Sequence, residues 1–148
     1  MLKRELTNDY IRGLIDGEGC FTFSTNKNYD GTSRKIPVFQ LKMHIRDKDL
    51  IEGVRDHLGL KNKVYIYHHP GKDGYNRGPT AMLMVRDFGS LKNIIIPFFY
   101  ERLAGHKAIQ FDKWLRKISE DPMVPESYSL LYRLHKSGFY RENPKFID

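Results

Sequence analysis

Residues 11–19 read IRGLIDGEG and lie where the chain changes from a helical to an extended pattern. Upstream, Thr7 is a residue type that commonly caps a helix start. The pattern predicts a helix that stops at Asp16–Gly17, because glycine adopts the left-handed C-terminal position at low cost. Downstream, Phe21 and Phe23 alternate with polar residues, as in a half-buried strand. The segment therefore predicts a junction between a first helix and a first strand.

Beyond this junction the sequence continues with strand and helix patterns. A second strand ends near Ile45, and Asp47 is predicted to cap a second helix that ends at Gly59. Two further strands follow, with inward residues predicted at Val64, Ile66, Leu83 and Val85. The intervening segment 69–79 is rich in glycine and proline, which predicts a loop.

Three helices are predicted in the last part of the chain, at about 89–99, 107–118 and 128–136. Pro97 should kink or end the first of them. The second is expected to bury Ile109, Phe111, Trp114, Leu115 and Ile118. The order α-β-β-α-β-β-α-α-α indicates an α+β fold with an antiparallel sheet. The 148 residues suit one domain, with a core at about 7–118 and a helical extension at about 122–148.

The composition is basic, with 25 lysines and arginines, 18 acidic residues and a formal charge of +7. This excess favours a polyanionic partner, although a merely soluble basic protein has the same balance. Cys20 is the only cysteine, which excludes an intrachain disulfide and a cysteine-based zinc site. No apolar stretch has membrane-spanning length, and the N-terminus is charged from Lys3 onward. We therefore expect a soluble intracellular protein without a membrane partner, in a prokaryotic cytoplasm or an organelle.

Two carboxylates, Asp16 and Glu18, stand at the predicted end of the first helix. A helix C-terminus favours basic residues there, each by about 0.3–1 kcal/mol. Carboxylates and a free backbone carbonyl are hard ligands that suit Mg²⁺ or Ca²⁺. An EF-hand loop does not fit, because Cys20, Phe21 and Lys27 would occupy its fifth, sixth and twelfth positions. A solvated turn whose acids have no role is the alternative.

Gly13 and Gly17 lie four residues apart and therefore on one face of the first helix. The missing side chains allow a second backbone to approach closely. Such a face is typical of tight helix–helix contacts, and taken alone it is a weak signal.

Residues 11–19 resemble the motif of the LAGLIDADG homing endonucleases. They match it at the first glycine, both aliphatic residues, both acids and the final glycine. Arg12 stands where the family usually has a small residue, and Glu18 replaces the commoner aspartate. Later segments that also resemble the family are 94–99 (IIIPFF), Gly105-His106-Lys107, Phe111 and Trp114. The resemblance implies an αββαββα fold with a curved antiparallel DNA-binding sheet, followed here by additional C-terminal helices.

The same resemblance implies a site-specific endonuclease that cleaves double-stranded DNA. Because only one motif is present, the enzyme would act as a homodimer on a long pseudo-palindromic site. It would hydrolyse phosphodiester bonds with a divalent metal and leave short 3′ overhangs. Mg²⁺ is the expected metal, Ca²⁺ or Mn²⁺ could substitute, and no small-molecule substrate is implied. By analogy, the small size favours an intron-encoded protein.

Family roles transfer to the motif residue by residue. Glu18 would be the catalytic carboxylate and would bind metal together with the Gly17 carbonyl. Gly13, Gly17 and Asp16 would form the dimer interface, with Asp16 more structural than catalytic.

Three further residues are candidates for catalysis. Lys107 is the first choice for the basic residue near the scissile phosphate, because it follows Gly105 where the family tends to place a lysine, and Arg102 is the reserve. Asp47 falls where relatives hold a polar residue that orders catalytic water. A helix-capping role is the alternative for Asp47, and both roles can hold.

Alternation assigns the two faces of the predicted sheet. The core face carries Phe21, Phe23, Phe39, Leu41, Met43 and Ile45. The DNA-binding candidates on the opposite face are Thr22, Ser24, Asn26, Asn28, Gln40, Lys42, His44, Lys63, Tyr65, Tyr67, His69 and Arg86, with Met84 beside them and Arg77 in the preceding loop. Such side chains on a curved antiparallel ribbon can reach base edges in the major groove. Lysine and arginine side chains at its edges would mostly contact phosphates. Taken singly, each can equally be a solvated strand residue, and the two tyrosines can instead cover the edge of the core.

A non-cleaving protein on the same fold is the alternative function, either an intron-splicing maturase or another DNA- or RNA-binding protein. The presence of Glu18 and Lys107 argues against lost activity. A transcriptional regulator is disfavoured because no helix-turn-helix domain is evident, and a metal buffer would need more clustered carboxylates.

Overall fold

Helix α1 (Asn8–Glu18) leads directly into strand β1 (Gly19–Lys27) in the computed structural model, which describes residues 5–68 and 78–146. The Thr7 hydroxyl accepts a hydrogen bond from the Tyr10 backbone N–H at 3.1 Å, which confirms the predicted cap.

The predicted end of α1 is wrong in its detail. Gly17 lies inside the helix, and Gly19 caps it in an extended conformation with φ −78° and ψ 167°. The chain enters β1 without reversing direction, so no left-handed residue is needed. Glycine is required at position 19 for a different reason, since a Cβ atom there would collide with the Ile15 side chain.

One four-stranded antiparallel sheet forms the centre of the fold, with the strand order β1-β2-β4-β3. The other strands are β2 (Ser33–His44), β3 (Val64–Tyr67) and β4 (Thr80–Val85). The register pairs Phe21 with Phe39 and Leu41 with Leu83, so these core residues share one face. The predicted α+β class with an antiparallel sheet is confirmed.

The helices follow the predicted order. They are α2 (Lys48–Leu58), α3 (88–99), α4 (His106–Glu120), α5 (Ser129–Lys136) and the short α6 (Phe139–Glu142). Single 3₁₀ turns lie at Ile45–Asp47 and Glu126–Tyr128. Among the described residues, no helix is long and apolar enough to span a bilayer.

Pro97 does not end helix α3. The helix consists of Phe88–Ser90, a π-helical turn at Leu91–Ile95 and Ile96–Phe99. The wide turn directly before Pro97 accommodates a residue that has no N–H to donate. Because α3 continues, Phe98 and Phe99 reach the core, where both are fully buried.

Aromatic rings hold the helices to the apolar face of the sheet. The Phe21 ring contacts the rings of Phe39, Phe99, Phe111 and Trp114, with centroid separations of 4.9–5.7 Å. These rings come from β1, β2, α3 and α4. The cluster therefore joins the first strands of the sheet to the helices that follow the sheet in the sequence.

Two residues predicted to be buried are exposed. Ile66 is 46% exposed because β3 is a short strand at the sheet edge, and only its first residue, Val64, is covered. Ile109 is 52% exposed, on the side of α4 away from the buried Trp114 and Leu115.

The predicted side-chain cap at Asp47 is also wrong. Helix α2 does begin directly after Asp47, but the carboxylate makes no capping hydrogen bond. Asp47 closes a 3₁₀ turn with ψ 16°, whereas a capping side chain needs extended backbone. Gly59 ends the helix in the left-handed conformation with φ 76°, as predicted.

We expect Phe21→Ala to lower the free energy of unfolding by about 3–5 kcal/mol, because it leaves a cavity among four rings. Ile109→Ala, on the exposed side of α4, should change it by less than about 0.5 kcal/mol. Urea unfolding at one fixed protein concentration measures both. Equal losses in the two variants would contradict this description of the core.

Candidate active site and nucleic-acid interface

The Asp16 carboxylate joins the end of α1 to the start of α4. Its oxygens accept hydrogen bonds from the backbone N–H of Ala104, at 3.0 and 3.2 Å, and of Gly105, at 3.2 Å. Gly105 is the residue before the first turn of α4 and has no side-chain cap of its own. A negative charge is favourable at that helix N-terminus. Asp16 therefore has protein partners, and no cation is needed to explain its position.

Glu18 differs from Asp16 in having no such partner. It is the last residue of α1, its side chain is exposed, and none of the described residues forms a hydrogen bond or ion pair with it. Lys107 is half-buried in the first turn of α4, two residues beyond the Gly105 amide that binds Asp16. Asp16 thus fixes the helix that carries Lys107 against the helix that carries Glu18.

Arg102 is exposed and lies two residues before Ala104, whose N–H binds Asp16. It lines a cleft together with Tyr140, Arg141 and Lys145 of the C-terminal extension. Neither Glu18 nor Lys107 lines that cleft.

Asp47 is found at the same end of the sheet as Glu18. The register places Gly19, at the start of β1, opposite Leu41, and β2 runs on from there to the turn that holds Asp47. The side chain is half-buried and, within the described ranges, has neither a hydrogen bond nor an ion pair. Its carboxylate is therefore free for a role other than capping.

The glycine face of α1 is open in the single chain. Gly13 and Gly17 are exposed, and a Cβ atom built on either would meet nothing within 4 Å. Tyr10, one turn before Gly13, is 49% exposed. Contacts within the described part of the chain therefore do not account for the two glycines.

One chain by itself offers few ligands for a metal. Residues 5–68 and 78–146 contain no group of three or more His, Cys, Asp or Glu side chains that could hold an ion. The Glu18 carboxylate and neighbouring backbone carbonyls are hard oxygen donors, which fit a divalent cation once further donors come from outside the chain.

The open face of the sheet carries the side chains predicted for it. In the register, Thr22 lies opposite Val38, Gln40 opposite Met84, and Tyr65 opposite Met82, so these residues share the face away from the core. By strand alternation the same face includes Ser24, Asn26, Lys42, His44 and Tyr67, and Arg86 follows directly after β4. Lys63 lies with its ammonium 5.5 Å from the Tyr65 ring centroid. The two tyrosines thus lie on the open face.

Four of the predicted DNA-binding side chains make hydrogen bonds within the protein. The Ser24 hydroxyl donates to the Asn26 amide oxygen at 3.4 Å. Asn28 lies in the hairpin turn, where its amide donates to the Thr32 hydroxyl at 2.9 Å. The His44 Nδ1 accepts from the Arg46 N–H at 3.1 Å, and its ring packs against Gly78. His69 and Arg77 lie outside the described residues.

Sequence reasoning did not select Arg34, although strand alternation places it on the open face. Arg34 pairs with Asn26, and counting back from Gln40 in steps of two along β2 leads to it. Pro37 hides this pattern, because proline inside a strand pattern normally argues against a strand. The Lys35 N–H points away from β1 and donates to the Met123 carbonyl. Pro37, two residues later, has the same orientation, so its missing N–H would not have faced β1, and β1 and β2 keep all their mutual hydrogen bonds.

Arg12, the departure from the motif, is also explained. It is 4% exposed, and its guanidinium donates to the carbonyls of Phe98, at 3.0 Å, and Phe146, at 3.4 Å. Its guanidinium carbon lies 4.5 Å from the Phe98 ring centroid. Arg12 therefore ties the last described part of the chain to the motif helix.

We expect Asp16→Ala to lower the free energy of unfolding by about 1 kcal/mol, because the amides of Ala104 and Gly105 lose their acceptor. Glu18→Ala removes an acid without a partner and should leave stability within about 0.5 kcal/mol of wild type. Urea unfolding of both variants tests this contrast, and an equal effect would show that the Asp16 contact contributes nothing.

Comparisons with known proteins identify the family of the chain. The model of the family described as LAGLIDADG endonuclease matches residues 11–118. The chain is 29% identical over 97 residues to the "Probable intron-encoded DNA endonuclease 1" of Mycosarcoma maydis. That match covers 65% of this chain and 31% of the relative, so the chain spans about a third of the length of that protein.

Solved structures show the same fold. The homing endonuclease I-TnaI has a TM-score of 0.62 at 24% identity, and the match covers 90% of this chain and 99% of that one. The meganuclease I-SmaMI bound to uncleaveable DNA has a TM-score of 0.60 at 25% identity, covering 88% of this chain and 44% of that one. I-SmaMI bound to uncleaved DNA with calcium ions has a TM-score of 0.65 at 23% identity, with 97% and 47% covered. Because the family model spans most of the sequence, the chain belongs to the LAGLIDADG homing endonuclease family.

Proposed function

We propose that two copies of this chain form a homodimer that binds a long, near-palindromic DNA site and cleaves both strands with a divalent cation. The observation that carries the proposal is the exposed Glu18 carboxylate, which has no partner among the described residues and ends the uncovered glycine face of α1. Short 3′ overhangs are part of the same proposal.

The glycine face supports the homodimer. Gly13 and Gly17 leave room for the backbone of a second helix, and the described part of the chain does not fill that room. The chain matches nearly all of the I-TnaI chain but less than half of the I-SmaMI chain. A single chain of this length would therefore supply one of two similar halves.

Pairing of two α1 helices along this face would bring together two helix ends, each with a Glu18. Glu18 and the Gly17 carbonyl would hold Mg²⁺, for which Ca²⁺ or Mn²⁺ could substitute. When bound, the cation supplies an activated water and stabilises charge on the phosphoryl and leaving oxygens. The second chain would provide the further oxygen donors that one chain lacks.

The protein side chains have separate tasks in this scheme. Asp47, whose carboxylate has no capping bond, orients the attacking water by accepting its hydrogen bond. The Lys107 ammonium, carried by the helix whose start binds Asp16, stabilises negative charge on the phosphoryl oxygens. Arg102 remains the reserve for this role.

The open face of the sheet would read the DNA. Amide, hydroxyl and basic side chains from four strands lie on one surface and match donors and acceptors on base edges in the major groove. The formal charge of +7 supplies the favourable interaction with phosphates.

Glu18→Gln should abolish cleavage and leave DNA binding and folding intact, because it removes a charged metal ligand without removing a structural contact. The measurement is cleavage selection on a randomised, partly palindromic DNA library with Mg²⁺ and with EDTA. The control is Glu120→Gln, an exposed acid at the end of α4, which should cleave like wild type. Wild-type cleavage by Glu18→Gln would remove Glu18 from the mechanism, and binding without any cleavage by wild type would favour a maturase or other binding protein.

Gly13→Leu should convert the dimer to a monomer while the fold stays intact, since the added side chain meets open space within one chain. Light scattering gives the mass and circular dichroism reports the fold. Gly89→Leu is the matched control, because Gly89 is another exposed helical glycine with nothing within 4 Å of a Cβ atom. If Gly13→Leu remains dimeric, the interface lies on another surface.

A further inference from the structure

A cleft opens on the face of the sheet that is proposed to bind DNA, at the end of β1 farthest from Glu18. Its volume is about 430 Å³. The residues that line it are Asn26, Arg34, Ile36 and Arg86 from the sheet side, and Pro125, Ser127 and Tyr128 from the C-terminal extension. The cleft therefore joins the open face to a part of the chain that lies beyond the family match at 11–118.

The wall of the cleft lies along the part of β2 that has no neighbouring strand. Strand β4 pairs with β2 only as far as Phe39, so the first residues of β2 have no strand on that side. The C-terminal extension occupies this edge, where the Lys35 N–H donates to the Met123 carbonyl at 2.9 Å and the Lys35 ammonium pairs with Asp121 at 3.1 Å. The wall is thus attached to the sheet by backbone and side chain.

Tyr128 fixes the other side of the cleft. Its hydroxyl donates to the Arg86 carbonyl at 3.3 Å, and its ring packs edge-on against Phe88 at 5.9 Å. Burial raises the pKa of the Tyr128 phenol, the positive charges of Arg34 and Arg86 oppose that rise, and the negative charge of Asp87 adds to it. Both guanidinium groups therefore act electrostatically on the same side chain of the wall.

The side chains that line the cleft carry a positive charge, from Arg34 and Arg86, although the exposed Glu126 lies in the segment that forms its wall. Arg34 and Arg86 are exposed, and neither forms an ion pair with any residue in 5–68 or 78–146. No carboxylate is among the described residues that line the cleft. The neighbouring Asp87 accepts hydrogen bonds from the Ser90 N–H at 3.0 Å and the Asn62 amide at 3.3 Å, and forms no ion pair with either arginine.

The distance from the catalytic end sets which part of a DNA site the cleft would meet. Asn26 lies seven residues beyond Gly19 on β1, and at about 3.3 Å per residue this is roughly 23 Å. At about 3.4 Å per base pair, a length of roughly 23 Å corresponds to roughly six or seven base pairs.

We propose that Arg34 and Arg86, beside the wall formed by Pro125–Tyr128, bind a phosphodiester group of the DNA backbone. This group lies roughly six or seven base pairs from the Glu18 end of the sheet. The proposal rests on the proposed DNA-binding function. Guanidinium groups donate in a fork that matches phosphate oxygens, and the Ser127 hydroxyl adds a donor. The C-terminal extension thereby becomes part of the DNA-binding surface.

The test compares Arg34→Gln/Arg86→Gln with Arg116→Gln/Arg133→Gln, which removes the same charge from exposed arginines of α4 and α5 outside the cleft. Binding of the full chain to a fluorescent mixed-sequence duplex is measured by anisotropy in Ca²⁺ over a range of salt. Removing one phosphate contact should reduce the slope of log K against log salt by about 0.9, or about 1.8 for a dimer with two clefts. The control pair should keep the wild-type slope. Circular dichroism checks that all variants fold.

A second measurement locates the contact. Uncharged methylphosphonate is placed at single backbone positions along a duplex carrying the site obtained by cleavage selection. Wild type should lose affinity at a position roughly six or seven base pairs from the cleavage point, and the cleft variant should be insensitive there. Equal slopes for wild type and the cleft variant, or equal sensitivity to the substitution, would overturn the cleft assignment while DNA binding itself stands. Absence of DNA binding by wild type would overturn the proposed function as well.

Discussion

The Asp16 carboxylate is the contact on which the arrangement of the candidate site depends. At the end of α1 a negative charge is unfavourable, but the same charge stands at the start of α4, where it accepts hydrogen bonds from two backbone amides. One residue therefore sets the position of two helix ends. Because Glu18 follows on the first helix and Lys107 lies in the first turn of the second, their relative placement is decided by this contact.

Helix α4 also positions the edge of the sheet, through hydrogen bonds to β1. The Gln110 side chain accepts from the Phe21 N–H at 3.0 Å, and the Trp114 indole donates to the Thr22 carbonyl at 2.8 Å. Strand β1 is an edge strand, so the Phe21 N–H would otherwise lack a partner on that side. The helix that begins at Asp16 thus also protects β1, and it aligns the strand whose outer residues are proposed to read DNA.

The C-terminal extension closes the fold at both ends of the molecule. One part completes the unpaired edge of β2 through Lys35 and forms the arginine cleft. The last described residue, Phe146, accepts hydrogen bonds from Asn8 and Arg12 of the motif helix. The buried Arg12 guanidinium pairs with the Asp9 carboxylate at 3.5 Å and is further stabilised by backbone carbonyls and the Phe98 ring, which is how an arginine occupies a position where a small residue is usual.

The sequence alone determined the junction of α1 with β1, the antiparallel sheet, its two faces and the family, because these follow from local periodicity and one contiguous motif. It did not determine the exposure of Ile66 and Ile109, since burial depends on which elements lie over a residue rather than on its neighbours in the chain. The cap at Asp47 failed because a 3₁₀ turn changed the backbone before the helix. Only the tertiary structure brought Asp16 to the N–H groups of residues 104 and 105, and Arg34 to the same cleft as residues 125–128. The partners are more than 85 positions apart in the sequence, so no local pattern encodes these arrangements.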